Sequence, residues 1–507
     1  MKKIMAAVCA IVVALCGYAV ADASDVVPGL ITFQAPADAA KPYPSVPGEA
    51  TVERVVAESS VATAPLPDRQ AVQRALETVA TAVKGKGVVA ARVLDALTGT
   101  ELGAVQPNLS LIPASNMKLI TAFAALTTLG PEKTFATRAV RDGASLYLVG
   151  GGDIALAPDR GTPTATVGRA GLGDLARAAA QKLTDVNSVQ VFVDTSSYSG
   201  PAYEPSLPAD SRIWVTPSSP VAMHLGKTSD SAPDGVASSY PADPAAEALT
   251  AFVQQLNAAG VKAVAAGHQK APVSARPLAE VNSAPVRSLV DHMLLVSENS
   301  LAEALAHQVA LAQGKPGSFV GGATAVVGVL EKAGVPLADS VIRDGSGLST
   351  LNRISPAVFT RLLQNVWACA ARAEVSGSAG APAQPRRQEA TGESAHAGAP
   401  EHAGEPKKSG GSVAGAAQGC AMAAIGIGVP IGGVDGSLHT RFVNNAGTGV
   451  VHAKTGTLDE ASSLSGFVLT RNGRPLTFSI VVNSAAGVDA YAYRPAIDSA
   501  VTALAQL

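Results

Sequence analysis

Charge is scarce in this 507-residue chain. Lys, Arg, Asp and Glu make up 15% of it, 38 basic against 40 acidic side chains, for a net charge of −2. No global field therefore draws it to nucleic acid or to an anionic membrane. Aromatic residues are few as well, at 4%. The four cysteines and eight histidines are scattered, with no Cys-x-x-Cys and no His-Glu-x-x-His. A zinc hydrolase or redox enzyme is thus not indicated. Gly-x-Ser-x-Gly is also missing, which argues against the nucleophile elbow of an α/β-hydrolase.

What the chain does have is apolar bulk, 47% hydrophobic residues, enough for a large core. At roughly 150 residues per domain its length allows about three domains. The 49 glycines and 33 prolines exceed the usual share, so part of the chain should be linker or loop. Lys2 and Lys3 precede an uncharged run, Ile4–Ala21, with small-residue cleavage sites at Ala19-Val20-Ala21 and Ala21-Asp22-Ala23. This is the grammar of a secretory signal over 1–21, and an exported protein of the cell envelope or exterior is expected. Retention of the run as a membrane anchor is the alternative.

Removal of the signal would take Cys9 and Cys16 with it. Cys369 and Cys420 would remain, and in an oxidising compartment they can pair. Closing that loop of about 50 residues is worth ~4 kcal/mol in the chain-entropy model; two buried thiols are the alternative. Residues 22–65, rich in Ala, Pro and Val, read as an extended spacer. Residues 371–419 hold no Leu, Ile, Phe, Met, Tyr or Trp. That stretch cannot bury enough apolar area to offset its ordering entropy, so a disordered insertion is expected.

The folded body should begin at Asp68, a helix cap, with Val72, Leu76, Val79 and Val83 on one face. A strand is expected over 88–94. The middle region, 136–282, carries strand patterns at 145–149 and 189–193 and helix patterns at 172–183 and 245–259. Two further helices are expected over 299–312 and 318–333.

Three short motifs carry chemistry. Pro113-Ala114-Ser115-Asn116-Met117-Lys118 opens an apolar helix through Leu129. Ser115 and Lys118, at i and i+3, share a helical face. Ser115 lies at the positive end of the helix dipole, and Lys118 one turn inward, where desolvation lowers an amine's pKa and lets it act as a base. Ser297-Glu298-Asn299 precedes a helix; two residues apart in extended chain, Ser297 and Asn299 can point to one side. A helix cap is the plainer reading. Lys454-Thr455-Gly456-Thr457 follows the strand-like Val450–Ala453, where Lys454 can hold a carboxylate and Gly456 can admit a substrate backbone. A surface strand ending in a turn would look the same. Each motif is weak by itself, but Ser-x-x-Lys, Ser-x-Asn and Lys-Thr-Gly each occur once and in this order, the trio of penicillin-interacting serine enzymes.

On these motifs the chain resembles the class C low-molecular-mass penicillin-binding proteins, the D-alanyl-D-alanine carboxypeptidase/endopeptidase family of the penicillin-binding protein 4 type. Longer stretches carry the same resemblance: Ile112–Leu119, Leu148–Asp153, Asp344–Ser349, Gly433–Leu438 and Ala453–Leu458. The resemblance implies an α/β (α+β) fold, a penicillin-recognising serine transpeptidase/β-lactamase-like domain assembled from 66–135 and 283–507. Small β-rich domains, 136–282, would be inserted between the halves.

It further implies Ser115 as nucleophile, Lys118 as its base, and Ser297 with Lys454 as proton relay to the leaving D-alanine. Asn299 would hold the substrate peptide. The backbone N–H groups of Ser115 and Thr457 would form the oxyanion hole, and Lys454, Thr455, Gly456 and Thr457 the substrate edge, with Lys454 and the Thr457 hydroxyl on the terminal carboxylate. The substrates would be peptidoglycan stem peptides, with β-lactams as inhibitors and no cofactor. A β-lactamase or esterase, or a non-catalytic wall-binding protein, are the alternatives. Asp153 reads as a turn residue, the 344–349 loop as structural or pocket-rim, and 200–230 as too poor in aromatic residues to serve stem-peptide recognition. Carboxypeptidase versus endopeptidase preference and oligomeric state are left open.

Overall fold

The computed structural model describes residues 63–186, 188–228, 239–375 and 422–507. The expected signal, the bulk of the spacer, Cys420 and nearly all of the expected insertion lie outside the described residues. Among those described, no helix is long and apolar enough to cross a membrane.

Asp68 caps the first helix, α1 (Arg69–Val83), accepting from the backbone N–H of Gln70 and Ala71. Strands β1 (Gly87–Asp95) and β2 (Glu101–Val105) follow, then a 3-10 turn at Ala114–Asn116 that runs straight into α2 (Met117–Leu129). The middle region comprises β3 (Ala136–Asp142), β4 (Ser145–Val149), β5 (Asp153–Leu156), α3 (Leu172–Ala180), β6 (Val189–Asp194), β7 (Val221–Met223), α4 (Pro244–Ala258), β8 (Ala263–His268) and β9 (Arg276–Asn282). Helices α5 (Val286–Val296), α6 (Asn299–Ala312), α7 (Phe319–Lys332), α8 (Pro356–Val375) and α9 (Ala423–Gly428) come next. The chain closes with β10 (Val451–Leu458), β11 (Ala461–Leu469), β12 (Pro475–Ser484) and α10 (Arg494–Ala505).

Two five-stranded sheets organise these elements. In the first the order is β10-β11-β12-β1-β2, antiparallel throughout, so strands from both ends of the chain share one ladder. Period-two alternation divides its faces. Val89, Ala91 and Val93 of β1, with Leu476, Phe478, Ile480 and Val482 of β12, pack under α1 and α10. The intervening Ser479 and Val481 face the other way. There α2, buried from Met117 through Leu126, is the centre of a helical half built with α5, α6, α7 and α8. A helix apolar on all sides is stable only inside such a bundle.

The second sheet, β8-β6-β4-β3-β9, is mixed: β3 runs antiparallel to β4 and β9, while β4, β6 and β8 are parallel. Helices α3 and α4 cover it through Leu172, Leu175, Phe252 and Leu256. A short pair, β5 with β7, stands beside it. Helix α8 continues to Val375, into the stretch expected to be disordered from 371, because Ala371, Arg372, Ala373 and Glu374 are all strong helix formers that need no burial.

A buried ion pair secures the end of the first sheet. Arg474 donates to both carboxylate oxygens of Asp95 at 2.7 and 2.8 Å, and to the carbonyl of Ala64. Asp95 is fully buried. Arg474→Ala would strand that carboxylate, and the expected cost is about 3–5 kcal/mol. A urea midpoint shifted by much less would show that water enters the site.

Candidate active site

The turn at Ser115 is held from three sides. Ala114 adopts φ 47°, a left-handed conformation rare outside glycine. Ser463 of β11 donates to the Pro113 carbonyl at 2.7 Å. Asn116 donates to Ser465, which donates to Ser479, at 2.7 and 2.8 Å. Two glycines make the clamp possible. A Cβ at Gly347 (φ 87°) would collide with the Ala114 carbonyl, and one at Gly456 would stand 2.8 Å from the Pro113 carbonyl. Gly456 therefore lets the Ser115 turn pack against β10. Between Leu111 and Leu126 only Ser115 is more than marginally exposed.

Lys118 is fully buried, and its Nζ meets three oxygens: Ser115 Oγ at 2.9 Å, Asn299 Oδ1 at 2.7 Å and the Ser346 carbonyl at 2.8 Å. Burial pulls its pKa down to about 8, with Asp344, Glu303 and Glu298 opposing the fall. A neutral amine has two N–H groups and one lone pair. Asn299 Oδ1 and the Ser346 carbonyl can only accept, so they take the two N–H groups. Only the Ser115 hydroxyl can donate, and it faces the lone pair. The arrangement is that of a base aimed at a hydroxyl.

The second serine–lysine contact lies opposite. Ser297 terminates α5 in the left-handed region (φ 63°, ψ 37°), where glycine is the usual occupant. Its approach to the site therefore comes from a strained cap and not from the extended segment expected of Ser-x-Asn. Glu298, buried, caps α6 by accepting from Ser300 N–H. Lys454, fully buried, donates to Ser297 Oγ and to the Thr455 carbonyl, both at 2.9 Å. Burial and the nearby Lys118 hold its pKa well below that of an ordinary lysine. Strand β10 is the open edge of its sheet. Alternation places Lys454 and Gly456 on one face, Thr455 and Thr457 on the other. The Thr455 hydroxyl meets Ser437 at 2.8 Å.

Several participants were not legible in the sequence. Arg494, at the start of α10, donates to Thr457 Oγ1 at 3.0 Å. Its Nε is buried without a hydrogen-bond partner among the described residues, and its plane lies 4.0 Å over the Tyr491 ring. The stretch 200–230 also reaches the site. Trp214 accepts on its carbonyl from Asn299 Nδ2 at 2.9 Å, Thr216 N–H donates to Ser300, and Lys227 pairs with buried Glu298 at 3.7 Å. Those are backbone and charge contacts, which aromatic content does not reveal. Asp153 is buried and accepts from Ala155 N–H, a local turn bond; burial pushes its carboxyl up to about 7. Cys369 is buried in α8.

Comparison with known proteins shows the family of the chain. The family model described as D-Ala-D-Ala carboxypeptidase 3 (S13) matches residues 72–233, 225–376 and 414–507. Carboxypeptidase Rv3627c of Mycobacterium tuberculosis is 31% identical over 434 residues, 83% of this chain and 82% of that protein. Carboxypeptidase DacB of Mycolicibacterium smegmatis is 30% identical over 458 residues, 88% and 87% of the two chains. Among solved structures, penicillin-binding protein 4 (DacB) of Haemophilus influenzae superposes with a TM-score of 0.62 at 18% identity, covering 85% of this chain and 99% of that one. The fold is thus that of a penicillin-recognising serine hydrolase, and the chain belongs to the S13 family of D-Ala-D-Ala carboxypeptidases.

Proposed function

We propose that the enzyme cleaves the D-Ala-D-Ala bond of peptidoglycan stem peptides through an acyl-enzyme on Ser115. Lys118 Nζ takes the Ser115 proton as Oγ bonds to the penultimate carbonyl carbon. The oxyanion that forms is met by the backbone N–H groups of Ser115 and Thr457, at about 3 kcal/mol for each donor. Collapse breaks the C–N bond, and the departing D-alanine nitrogen takes a proton from Ser297, which Lys454 replenishes; the proton that Lys118 took from Ser115 then restores Lys454 and leaves Lys118 neutral again. Water then gives a proton to Lys118 as its oxygen bonds to the ester carbonyl carbon, and Lys118 returns that proton to Ser115 Oγ as the acyl C–O bond breaks. Asn299 serves as the polar contact for the substrate peptide and as an acceptor that orients Lys118. The observation that carries this reading is the Lys118 arrangement, with two obligate acceptors and one hydroxyl around a buried amine.

A base with a pKa of about 8 is competent only when neutral. Acylation by a D-Ala-D-Ala peptide or by penicillin should therefore rise about tenfold per pH unit below 8 and level off above it. Single-turnover rates measured from pH 5 to 10 test this. A rate independent of pH would remove Lys118 as the base.

Lys454 is occupied by Ser297 and the Thr455 carbonyl, so the cation available at the Thr457 hydroxyl is Arg494. Thr457 and Arg494 are the proposed holders of the substrate's terminal carboxylate, which favours carboxypeptidase over endopeptidase action. Arg494→Ala should lower kcat/KM on the peptide by about 10- to 100-fold, the worth of one charged hydrogen bond, chiefly through KM. Unchanged KM would place the carboxylate elsewhere. β-Lactams, which present a carboxylate beside a strained amide, are proposed to acylate the same serine and to be released slowly. Fast turnover of the drug would favour the β-lactamase reading. The signal grammar at 1–21 supports an exported enzyme at the cell envelope.

A further inference from the structure

Behind Lys118, on the side away from Ser115, α6 and the 344–349 loop bury two carboxylates. Neither Glu303 nor Asp344 has an ion-pair partner among the described residues, and both are less than a tenth exposed. Glu303 accepts from the backbone N–H groups of Gly345 and Ser346, both at 2.9 Å. Asp344 accepts from the N–H groups of Gly347 and Ser349 and from the Asn352 amide, at 2.9, 2.6 and 2.8 Å. Thr121 of α2 donates to the Gly345 carbonyl at 2.6 Å. With its N–H groups and its carbonyls thus engaged, the loop can present the Ser346 carbonyl to Lys118 in one orientation only. Glu303 also stands four residues along α6 from Asn299, the other acceptor on Lys118, so both acceptors are set by the same helix.

The charge of Asp344 disfavours ionisation of Glu303. Burial, then the charge of Asp344, lifts the Glu303 carboxyl to about 8. Asp344 is raised too, by burial, but its three good donors and Lys118 oppose that. Burial and Asp344 thus favour a protonated Glu303, while the three donors and Lys118 favour the charged form of Asp344.

We propose that Glu303 and Asp344 are a positioning pair for the general base: through the Ser346 carbonyl they aim the Lys118 lone pair at Ser115, and between them they keep one proton and one negative charge behind it. The proposal rests on Lys118 being the base of Ser115. The other titratable groups facing the cluster are accounted for. Glu298 is paired with Lys227, and Lys454 serves Ser297. His307 donates to the Glu303 carbonyl through Nδ1–H, and burial holds it neutral with a pKa of about 4. Tyr203 and Glu204 border a small cavity that Glu303 and Asp344 also line.

A shared proton has a testable consequence. In Glu303→Gln, Asp344 keeps the charge; in Asp344→Asn, Glu303 is relieved of repulsion and ionises in its place. Either single variant therefore leaves one negative charge, and only the double variant leaves none. The experiment is the rate of penicillin acylation from pH 5 to 10 for wild type, both single variants and the double variant, with the label located on Ser115. The single variants should keep the acidic limb within about half a pH unit of wild type, and the double variant should move it at least about one unit lower. A folded double variant, labelled on Ser115, with its limb where wild type has it would overturn the pairing. A wild type without label on Ser115, or with a flat profile, would instead defeat the base reading beneath it.

If the double variant does not fold, denaturation of Glu303→Gln decides. Between pH 4.5 and about 8 Glu303 is protonated in the fold and ionised in the unfolded chain. Wild type must therefore lose stability as pH rises through that window, and Glu303→Gln must lose less. Identical slopes would overturn the proposal.

Discussion

Ser115→Ala is expected to release no D-alanine above background and to form no adduct with penicillin, a loss of at least about 10⁴-fold in kcat. The size follows from the covalent route. Without Oγ there is no acyl-enzyme, and the neighbouring hydroxyl cannot substitute. Ser297 sits on a left-handed cap, bonded to a different lysine, whereas Ser115 lies at the N-terminal end of α2 and is the residue exposed from the otherwise buried segment. The substitution removes one partly exposed hydroxyl, and stability should change by less than about 0.5 kcal/mol. Activity and stability measured on the same preparation separate the two effects. Residual activity within tenfold of wild type would mean another nucleophile.

The second large effect is at Lys118. Lys118→Arg places a guanidinium that never deprotonates where a neutral amine is required. Acylation should fall by about 10²- to 10⁴-fold, the range of general-base contributions. It should also lose its rise toward pH 8, because the titrating group is gone. Lys118→Met keeps most of the apolar stem and removes the base in the same way. Burial disfavours the charged lysine, but Lys118→Met also leaves Asn299 Oδ1 and the Ser346 carbonyl without their donor, so a net loss of stability of no more than about 3 kcal/mol is expected. A thermal melt beside the acylation assay checks both effects. If both variants acylated at wild-type rates, proton transfer would have to pass through another group.

The sequence carried the chemistry of this site better than its geometry. Ser115, Lys118, Ser297, Asn299 and Lys454 could be picked out because each side chain is itself a reactive or hydrogen-bonding group at a fixed spacing. Helices α1, α6 and α7 were readable from apolar periodicity and their caps. Helices α5 and α10 carry similar spacing in Leu289, Val290, Met293 and Leu294 and in Ile497, Ala500, Val501 and Leu504. What escaped was whatever depends on backbone or on tertiary contact. The acceptors that orient Lys118 include a main-chain carbonyl, and Asn299 is steadied by another, that of Trp214. Arg494 reaches Thr457 across 37 residues, with no local motif to announce it. That Gly456 also makes room for the Pro113 carbonyl is a tertiary contact no local motif shows. Ser297 looked extended because a left-handed serine has no sequence signature.

The central claim is that Ser115 alone becomes acylated, and locating the adduct tests it most directly. Penicillin-treated enzyme, digested with trypsin and sequenced by tandem mass spectrometry, should carry the drug on the peptide spanning residues 93–118, at Ser115. An adduct on the peptide holding Ser297, or stoichiometric labelling that persists in Ser115→Ala, would contradict it.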